Sequence, residues 1–593
     1  MEQLENIYKN QTKDIVKYID GKYKLNSRYK IGKIILSNNN AILEMKDRES
    51  QKIFIDLDQL NGAYHNDIVV TQVIFHPKGK TKAKVIDVLE SANNKILVYK
   101  RDNSIYTVKE HLCLTNVKFE LNDNDVAVVE KNSLVKIIGN IKDPKIDEKI
   151  SLYLYGEEYR LNSYSTVDIE QPKQTNRIDL THLDFCTIDP ATAKDHDDAI
   201  YFDEENSELY VAIADVSSYV QEGSSLDKEA YKRAFSIYLP TKVLPMLPFE
   251  LSADLCSLVP NKHRNSFVFQ MKLDVSKTKV VSSKLFEAII ESKNKYSYEY
   301  IDEVLEKEDQ SNYFTKLYNI TKRFRKSRLK KGFDFRSEEI RLKLDDDENY
   351  KSYSLEISSP SHSLVEECML LANQEAAKKL KRYGIFRVHE EPSTTKIKKL
   401  LDDINELGIK AKLKEDIHST ILEVQKQSRL VGLEAEIDQL IIQSQQQAYY
   451  SNIKNEHFGL GFSNYSHFTS PIRRYSDLVL HRILKTKNIP ENIEEICEKI
   501  SDTERKINNL VWDYEDRKYA RYLDKNIGKN YIGKIVDTDN GIVKLDDRKI
   551  KGARVYVENY SGEKLFTKVE IKITKSDIIS KKVIGSIIGL VKD

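Results

Sequence analysis

Residues 187–198 read TIDPATAKDHDD, and this stretch concentrates acid between two apolar, strand-like runs, 185–188 (FCTI) and 199–202 (AIYF). Its aspartates are Asp189, Asp195, Asp197 and Asp198. Carboxylates held this close repel one another unless protons or a divalent metal neutralise them. A solvated acidic turn is the more common structure for such a stretch. The flanking runs weaken that interpretation because they tend to anchor the loop to a core, and a cation site is the alternative.

The residue types narrow the choice of metal. The D-x-D-x-D-G spacing and distal glutamate of a calcium EF-hand are absent. A phosphatase-type D-x-D at the end of the first run does not fit either, because Pro190 and Ala191 follow Asp189. Carboxylate-only ligands favour a hard cation, Mg²⁺ or Mn²⁺, which would bind a phosphate and activate a water.

A second segment could supply the cations that a phosphate needs. Residues 466–482 read SHFTSPIRRYSDLVLHR, so Arg473 and Arg474 follow a proline-containing turn and begin a helix-like run. Guanidinium groups bind phosphate oxygens in a fork, and a helix N-terminus attracts anions. Taken alone, an arginine pair that serves only surface salt bridges is the more common structure for such a segment.

Length and charge limit the number of domains but do not identify a binding partner. The chain has 593 residues, too many for one hydrophobic core, and a prior of about 100–200 residues per domain predicts three to five domains. The 94 Lys and Arg residues nearly balance the 93 Asp and Glu residues. Net charge therefore identifies no partner, although a basic channel and an acidic pocket could cancel in the sum.

The cysteines and the apolar pattern indicate a compartment. The five cysteines lie far apart, without a C-x-x-C pair, which favours a reducing compartment and argues against a zinc module. The first residues have no apolar core of the secretory type, and no run of about 18 apolar residues occurs. We expect a soluble cytoplasmic protein without membrane contact.

The pattern of apolar and polar residues changes along the chain. After an N-terminal extension (1–25), short alternating strands predict two small barrels of the OB or cold-shock kind, 26–92 and 93–168. Residues 169–525 read as a mixed α/β domain with helix-like stretches at 363–384, 436–451 and 476–487. Residues 526–593 return to strands and predict a third barrel, with a hairpin turn at 539–541. For the first two units, a small β-barrel or sandwich that binds no ligand is an equally good interpretation of the pattern.

The predicted fold class is thus multidomain, with a mixed α/β central domain flanked by small OB-fold or cold-shock β-barrels. Neither a GxxxxGK[ST] loop nor a GxGxxG turn occurs, so we expect no nucleotide cofactor.

Seven motifs in order resemble the ribonuclease II/ribonuclease R family, whose catalytic unit is the RNB domain. They are TIDPATAKDHDDAI from 187, VAIADVSSYV from 211, SIYLPTKVLPMLPFELSADLCSL from 236, SLVEECMLLAN from 363, FRVHEEP from 386, HFGLG from 457 and HFTSPIRRYSDLVLHR from 467. SLVEECMLLAN and SPIRRYSDL look closer to ribonuclease R. The resemblance implies two cold-shock barrels before the catalytic domain and one RNA-binding OB barrel after it.

The resemblance also implies an activity. Members of the family are processive, hydrolytic 3′→5′ exoribonucleases that use Mg²⁺, degrade single-stranded RNA to nucleoside 5′-monophosphates and leave a short oligonucleotide. We therefore expect RNA as the partner, Mg²⁺ as the cofactor with Mn²⁺ as a substitute, and a monomer. Alternatives are an RNA-binding regulator with an inactive RNB domain and a phosphodiesterase for small molecules.

Transferred by motif, the resemblance assigns roles to individual residues. The four aspartates of the opening stretch match the acidic metal positions, with Asp197 the catalytic one. Arg473 matches an arginine that contacts the scissile phosphate, and Tyr238 an aromatic that packs on the terminal bases. Phe335 matches the stacking partner of that aromatic, and Glu366 a glutamate that contacts the 3′-terminal ribose, with Glu367 as the alternative register.

One basic run is left without a role. Residues 322–331 could line an RNA path, but a solvated helix face is the more common structure for such a run.

Overall fold

The structure is a computed structural model of the chain. It describes residues 15–19, 22–37, 40–45, 53–56, 59–61, 63–64, 66–74, 81–90, 95–114, 117, 119–130, 133–156, 159, 169, 172, 176–335 and 338–591. Most of the predicted N-terminal extension, residues 1–14 and 20–21, lies outside these ranges.

The first part of the chain forms a hairpin and a closed barrel. The hairpin is β1 (Val16–Ile19) and β2 (Lys22–Leu25). The barrel strands are β3 (Tyr29–Ser37), β4 (Asn40–Glu44), β5 (Ile53–Ile55), β6 (Ile68–Ile74) and β7 (Lys82–Glu90), in the closed order β3-β4-β5-β7-β6. Alternate apolar residues of these strands point inward and form one core, which confirms the barrel predicted from the alternating pattern.

The second unit is a five-stranded sheet with a helix that the sequence reading did not predict. Its elements are β8 (Ile96–Arg101), β9 (Ser104–Thr107), β10 (Cys113–Leu114), β11 (Asp125–Glu130), β12 (Ser133–Asn140) and α1 (Ile146–Tyr155), with strand order β10-β9-β8-β11-β12. Ile146 and Ile150 of α1 pack into the same core as Val126 and Val128 of β11. Over the described residues the edge strands β10 and β12 do not pair with each other, so α1 covers apolar surface that the sheet leaves open.

The central domain is built on a mixed sheet. Its strands are β13 (Ile178–Asp179), β14 (Phe185–Asp189), β15 (Asp198–Asp203), β16 (Glu208–Ala214), β19 (His263–Asp274) and β20 (Lys279–Ser297), in the order β13-β20-β14-β15-β16-β19. Between β16 and β19 lie α2 (Ser225–Arg233) and the short hairpin β17 (Ile237–Tyr238) and β18 (Val243–Leu244). The long strand β20 pairs antiparallel with β19 and parallel with β14, so the sheet curls back on itself.

Helices and hairpins surround this sheet. In chain order they are α3 (Tyr298–Glu306), α4 (Tyr313–Arg328), β21 (Glu338–Leu344), β22 (Tyr350–Ile357), α5 (Pro360–Lys379), β23 (Tyr383–Val388), α6 (Thr394–Glu406), α7 (Ile417–Leu430), α8 (Glu434–Ser444), β24 (Tyr449–Ile453), α9 (Tyr475–Thr486) and α10 (Ile493–Asp524). The predicted helix at 476–487 corresponds to α9, and the one at 363–384 corresponds to α5 except at its end, where α5 stops at Lys379 and β23 begins at Tyr383. The predicted helix at 436–451 is wrong in its second half, because β24 pairs there with β23.

The C-terminal part is a second closed barrel, as predicted. Its strands are β25 (Asn530–Asp537), β26 (Ile542–Asp546), β27 (Lys551–Val557), β28 (Lys568–Asp577) and β29 (Lys582–Leu590), in the order β25-β26-β27-β29-β28. The predicted hairpin turn joins β25 to β26. Gly541 adopts a positive φ of 60° there, which suits a residue without a side chain.

The C-terminal half of α10 ties the flanking units to the central domain. Arg521 and Lys518 both pair with the fully buried Asp147 of α1, at 2.6 and 3.2 Å. One turn earlier, Asp513 pairs with Arg517, which donates to the carbonyls of Ile578 and Ile579 in the C-terminal barrel. Buried charges persist only when paired, so these contacts fix how the second unit and the last barrel sit on α10. No helix within the described ranges combines the length and apolar character needed to cross a membrane.

Candidate active site

The acidic stretch forms the loop between two neighbouring strands of the central sheet. Asp189 is the last residue of β14 and Asp198 the first of β15, and the two strands pair at Cys186 and Ile200. The hydroxyl of Ser257 helps to fix the loop, because it accepts a hydrogen bond from the His196 backbone amide at 2.9 Å. Buried apolar residues on both strands anchor the loop, so it is not a freely solvated turn.

Asp197 is the most enclosed of the four carboxylates. Its Oδ1 accepts from the backbone amide of Ile472 at 2.8 Å, and its Oδ2 lies 3.4 Å from Nε of Arg473. Among the described residues Oδ2 has no hydrogen-bond partner although it is buried. Burial raises the pKa of Asp197 well above its usual range, and Arg473 and the Ile472 amide oppose that shift. The loop thus presents a buried carboxylate oxygen that has an ion-pair contact with Arg473 but unused capacity to accept a hydrogen bond or bind a cation.

The other aspartates have distinct surroundings. Asp189 accepts from or shares a proton with His196 Nδ1 at 2.6 Å, and Asp195 accepts a 2.5 Å hydrogen bond from the Tyr238 hydroxyl. Burial, with a further contribution from Asp189, raises the pKa of Asp198 to about 7. The protein therefore leaves part of this negative charge uncompensated, as a cation-binding loop requires.

The two arginines of the second segment separate into different roles. Arg474 pairs with the buried Asp477 at 2.8 Å inside the first turn of α9, although it also lines the cavity described below. Arg473 faces Asp197 with 47% of its side chain exposed. Its backbone carbonyl accepts from Ser236 at 3.0 Å, which ties the arginine loop to the strand that carries Tyr238.

A cavity of about 1050 Å³ brings most of the predicted site residues together. Among the residues lining it are Asp189, Asp195, Asp197, Asp198, Tyr238, Glu366 and Arg473. Phe335 lies instead in an adjoining cavity of about 620 Å³, which shares Glu366 with the first. The ring of Phe335 stacks on Phe333 with centroids 5.8 Å apart.

The two glutamates on α5 have different surroundings. Glu366 lies in the cavity wall with 45% of its side chain exposed, whereas Glu367 is buried and pairs with Arg328 at 2.5 Å. Burial raises the pKa of Glu367, and Arg328 opposes that shift. Of the two, only Glu366 is available to a ligand in the main cavity.

Three cavity residues escaped the sequence reading. Tyr298 stacks on His362 with centroids 3.8 Å apart, and His467 accepts or donates at 2.9 Å to the Tyr450 hydroxyl. Burial lowers the pKa of His467 well below its usual value, so this ring is neutral. The HFTSPIRRY motif contained His467, but nothing in the sequence around Tyr298 or His362 distinguishes them from other core residues.

The donor set fits a hard divalent cation. Across the described residues, no three His, Cys, Asp or Glu side chains are grouped as a ready-made metal cage. Asp189 and Asp195 form hydrogen bonds with His196 and Tyr238. The buried Asp197 oxygen, which accepts no hydrogen bond from the described residues, and the carboxylates around it are nevertheless the oxygen donors that such cations prefer.

Comparison with known proteins places this geometry in a family. The chain matches the family model of the RNB domain over residues 177–487 and that of the second OB domain of ribonuclease R over residues 90–152. Ribonuclease R of Helicobacter pylori is 35% identical over 492 residues, which cover 78% of this chain and 75% of the relative.

Solved structures show the same similarity. The RNase R of Mycoplasma genitalium in complex with ribose-methylated single-stranded RNA has a TM-score of 0.78 at 26% identity, covering 94% of this chain and 100% of that one. Its complex with double-stranded RNA has a TM-score of 0.72 at 27% identity, covering 85% and 97%. The resemblance predicted from the motifs is confirmed, and the acidic loop and Arg473 lie inside the matched RNB domain. The chain belongs to the ribonuclease R family of exoribonucleases.

Proposed function

We propose that this 3′→5′ exoribonuclease uses the Asp197–Arg473 pair to hydrolyse the last phosphodiester bond of single-stranded RNA. The observation that carries the proposal is the 3.4 Å approach of Arg473 to a buried Asp197 oxygen in one large cavity; this oxygen accepts no hydrogen bond from the described residues. The enzyme acts processively, releases nucleoside 5′-monophosphates and leaves a short oligonucleotide.

Members of this family are metal-dependent hydrolases, and we propose Mg²⁺, with Mn²⁺ as a substitute, for this chain. Asp189, Asp195, Asp197 and Asp198 would hold the ion. When bound, it supplies Lewis-acid polarisation of the phosphate and lowers the pKa of a water to the range of a nucleophile.

The protein contributes charge and orientation at the phosphate. The Ile472 amide fixes Asp197 through its Oδ1, so the carboxylate keeps one orientation while substrate binds. Arg473 can offer its guanidinium to the phosphate oxygens, where charge builds in the transition state. It stands two residues before α9, whose N-terminus adds a favourable partial positive charge.

The same cavity has groups for the nucleotide. Stacking on Tyr238 and Phe335 is indifferent to base identity because every base has a π-face, which suits degradation of any sequence. Glu366 can accept a hydrogen bond from the 2′-hydroxyl of the terminal ribose, the group that separates RNA from DNA. The flanking barrels suit a path for single strands.

Two further properties belong to the proposal. We propose that the enzyme acts as a monomer. We also propose a cytoplasmic location, which the five free thiols support.

A direct experiment tests the activity. A 5′-labelled single-stranded RNA is incubated with the protein and Mg²⁺, with EDTA, and with EDTA followed by excess Mg²⁺ or Mn²⁺. We expect stepwise 3′ shortening to a short end product in the first and third cases, with RNA binding by fluorescence anisotropy unchanged in the second. Internal cuts, or shortening in EDTA, would contradict the mechanism. A labelled RNA that is bound but never shortened would instead support the inactive-domain alternative.

A further inference from the structure

Arg325 of α4, inside the basic run 322–331, contacts three carboxylates at once. One amino group of its guanidinium lies 2.6 Å from Glu366 and 3.4 Å from Glu367, and the other lies 2.6 Å from Asp334. The run is thus neither a uniformly solvated face nor a plain RNA path, because this arginine turns toward the cavity wall. Its side chain is only 18% exposed.

The three contacts join the two elements that bear the proposed nucleotide-binding groups. Glu366 lies on α5, whereas Asp334 directly precedes Phe335 in the segment after α4. A planar guanidinium with both amino groups engaged cannot rotate freely, so it fixes the distance between these elements. Burial lowers the pKa of Arg325, but the carboxylates outweigh it and keep the charge permanent.

Arg328, one turn further along α4, has a different task. It pairs with Glu367, whose side chain is 3% exposed, so this pair lies in the packed interior between α4 and α5. Glu366 by contrast combines a solvent-accessible carboxylate with a fixed partner. The geometry suits Arg328 for holding the helices together and Arg325 for orienting a group that touches substrate.

We propose that Arg325 is a positioning residue that aligns Glu366 with the Phe335 segment, so that the site distinguishes a 3′-terminal ribose from a deoxyribose. This inference rests on the proposed function, in which Glu366 contacts the ribose. Without Arg325, Glu366 gains rotamer freedom, and the repulsion between Glu366, Glu367 and Asp334 pushes the carboxylate off its position. Binding and turnover of RNA both weaken, but the preference for the 2′-hydroxyl weakens most.

The test compares two 5′-labelled substrates that differ only in a 2′-deoxy residue at the 3′ end. The readout is kcat/KM for the first cleavage of the all-ribose substrate divided by kcat/KM for the first cleavage of the substrate with the 2′-deoxy residue. The variants are Arg325→Gln, Arg325→Lys, Glu366→Gln and the Arg325→Gln/Glu366→Gln pair. Arg323→Gln is the matched control, because it removes an exposed arginine from the same helix.

We expect Glu366→Gln and Arg325→Gln each to lower the ratio at least fivefold, and the double variant to lower it no further than Glu366→Gln alone. Arg323→Gln should keep the wild-type ratio. Arg325→Lys keeps the charge and the fold but cannot form the fork, so its ratio should lie nearer that of Arg325→Gln. A wild-type ratio in Arg325→Lys overturns the positioning role, and this variant decides the question if Arg325→Gln does not fold.

The experiment separates a failure of the Arg325 role from a failure of the proposed ribose contact of Glu366. If Glu366→Gln lowers the ratio and Arg325→Gln does not, the role of Arg325 is wrong while the proposed ribose contact stands. If neither variant changes the ratio although RNA is still shortened, the ribose contact of Glu366 is wrong and the inference falls with it.

Discussion

Replacement of Asp197 by Asn is the sharpest perturbation of the site, because it keeps the size of the side chain and removes its charge. The Oδ1 position can still accept from the Ile472 amide, so the loop keeps its shape. The other position becomes an amide N–H that faces the guanidinium of Arg473 at the former 3.4 Å contact. Two donors then oppose each other, and Arg473 loses the group that orients it.

The distance gives a magnitude. Unit charges 3.4 Å apart attract by about 5 kcal/mol at an effective dielectric constant of about 20. Since 47% of the Arg473 side chain is exposed, water screens part of this, and we take roughly 3–4 kcal/mol. Each 1.36 kcal/mol is about tenfold in rate, so kcat should fall about 10²- to 10³-fold from this term alone. Loss of a cation ligand lowers it further.

Single-turnover shortening of a 5′-labelled RNA measures the effect, with fluorescence anisotropy for binding and thermal unfolding for integrity. We expect Asp197→Asn to bind RNA with an affinity within about threefold of that of the parent. Its kcat for 3′ shortening should fall by at least the 10²- to 10³-fold worked out above. The matched control is Asp203→Asn, at the opposite end of β15, which should remain fully active. A kcat for Asp197→Asn within tenfold of the parent would refute the pairing of Asp197 with Arg473 as the centre of the chemistry.

Three further predictions address stacking and stability. Tyr238→Ala should lengthen or shift the end product while metal dependence is kept, because a base–aromatic stack is worth about 1–3 kcal/mol; Tyr238→Phe should keep the parent's product ladder, and an unchanged ladder in Tyr238→Ala would remove this residue from stacking. Burial alone would raise the pKa of Asp215, but Lys485 and Arg177 lower it to about 2. The stabilisation from this carboxylate is therefore complete above the unfolded pKa of about 3.9 and is lost as pH falls toward 2, so Asp215→Asn should cost at least about 2 kcal/mol at pH 7 and less near pH 2 in urea unfolding; a pH-independent difference would contradict the pairing. Asp147→Asn should destabilise the protein by about 3–5 kcal/mol, because it removes the buried carboxylate that Arg521 and Lys518 share and leaves Lys518 only the longer 3.6 Å contact with Glu348; thermal unfolding checks this, and an unchanged Tm would show that the pairs do not hold the units together.

The sequence predicted the first and last barrels and the helices α5 and α9, because their signals are local, but it did not predict the longest helix, α10. Alternation of apolar residues is a property of each strand by itself, and it gave β3 to β7 and β25 to β29 without knowledge of their partners. The region 436–451 failed for the opposite reason. Its glutamines carry no clear period, and the change from α8 to β24 is decided by pairing with β23, which lies far earlier in the chain. Helix α1 was missed because its role is to cover a sheet that the sequence does not show to be open.

The candidate site, like the fold, has features that the sequence alone predicts and features that only the tertiary structure decides. The composition of TIDPATAKDHDD and its apolar flanks allowed a cation site beside the more common solvated turn, and the motif series favoured the cation site, because residue types and their order can be read from the sequence itself. The sequence could not show which arginine of SPIRRY faces the loop, which glutamate of VEECM is accessible, or that Arg325 links two walls of the cavity. Those answers depend on side-chain direction and on contacts such as Ile472 with Asp197, which are 275 positions apart in the chain. Local chemistry fixes what a residue can do, and only packing decides which groups it meets.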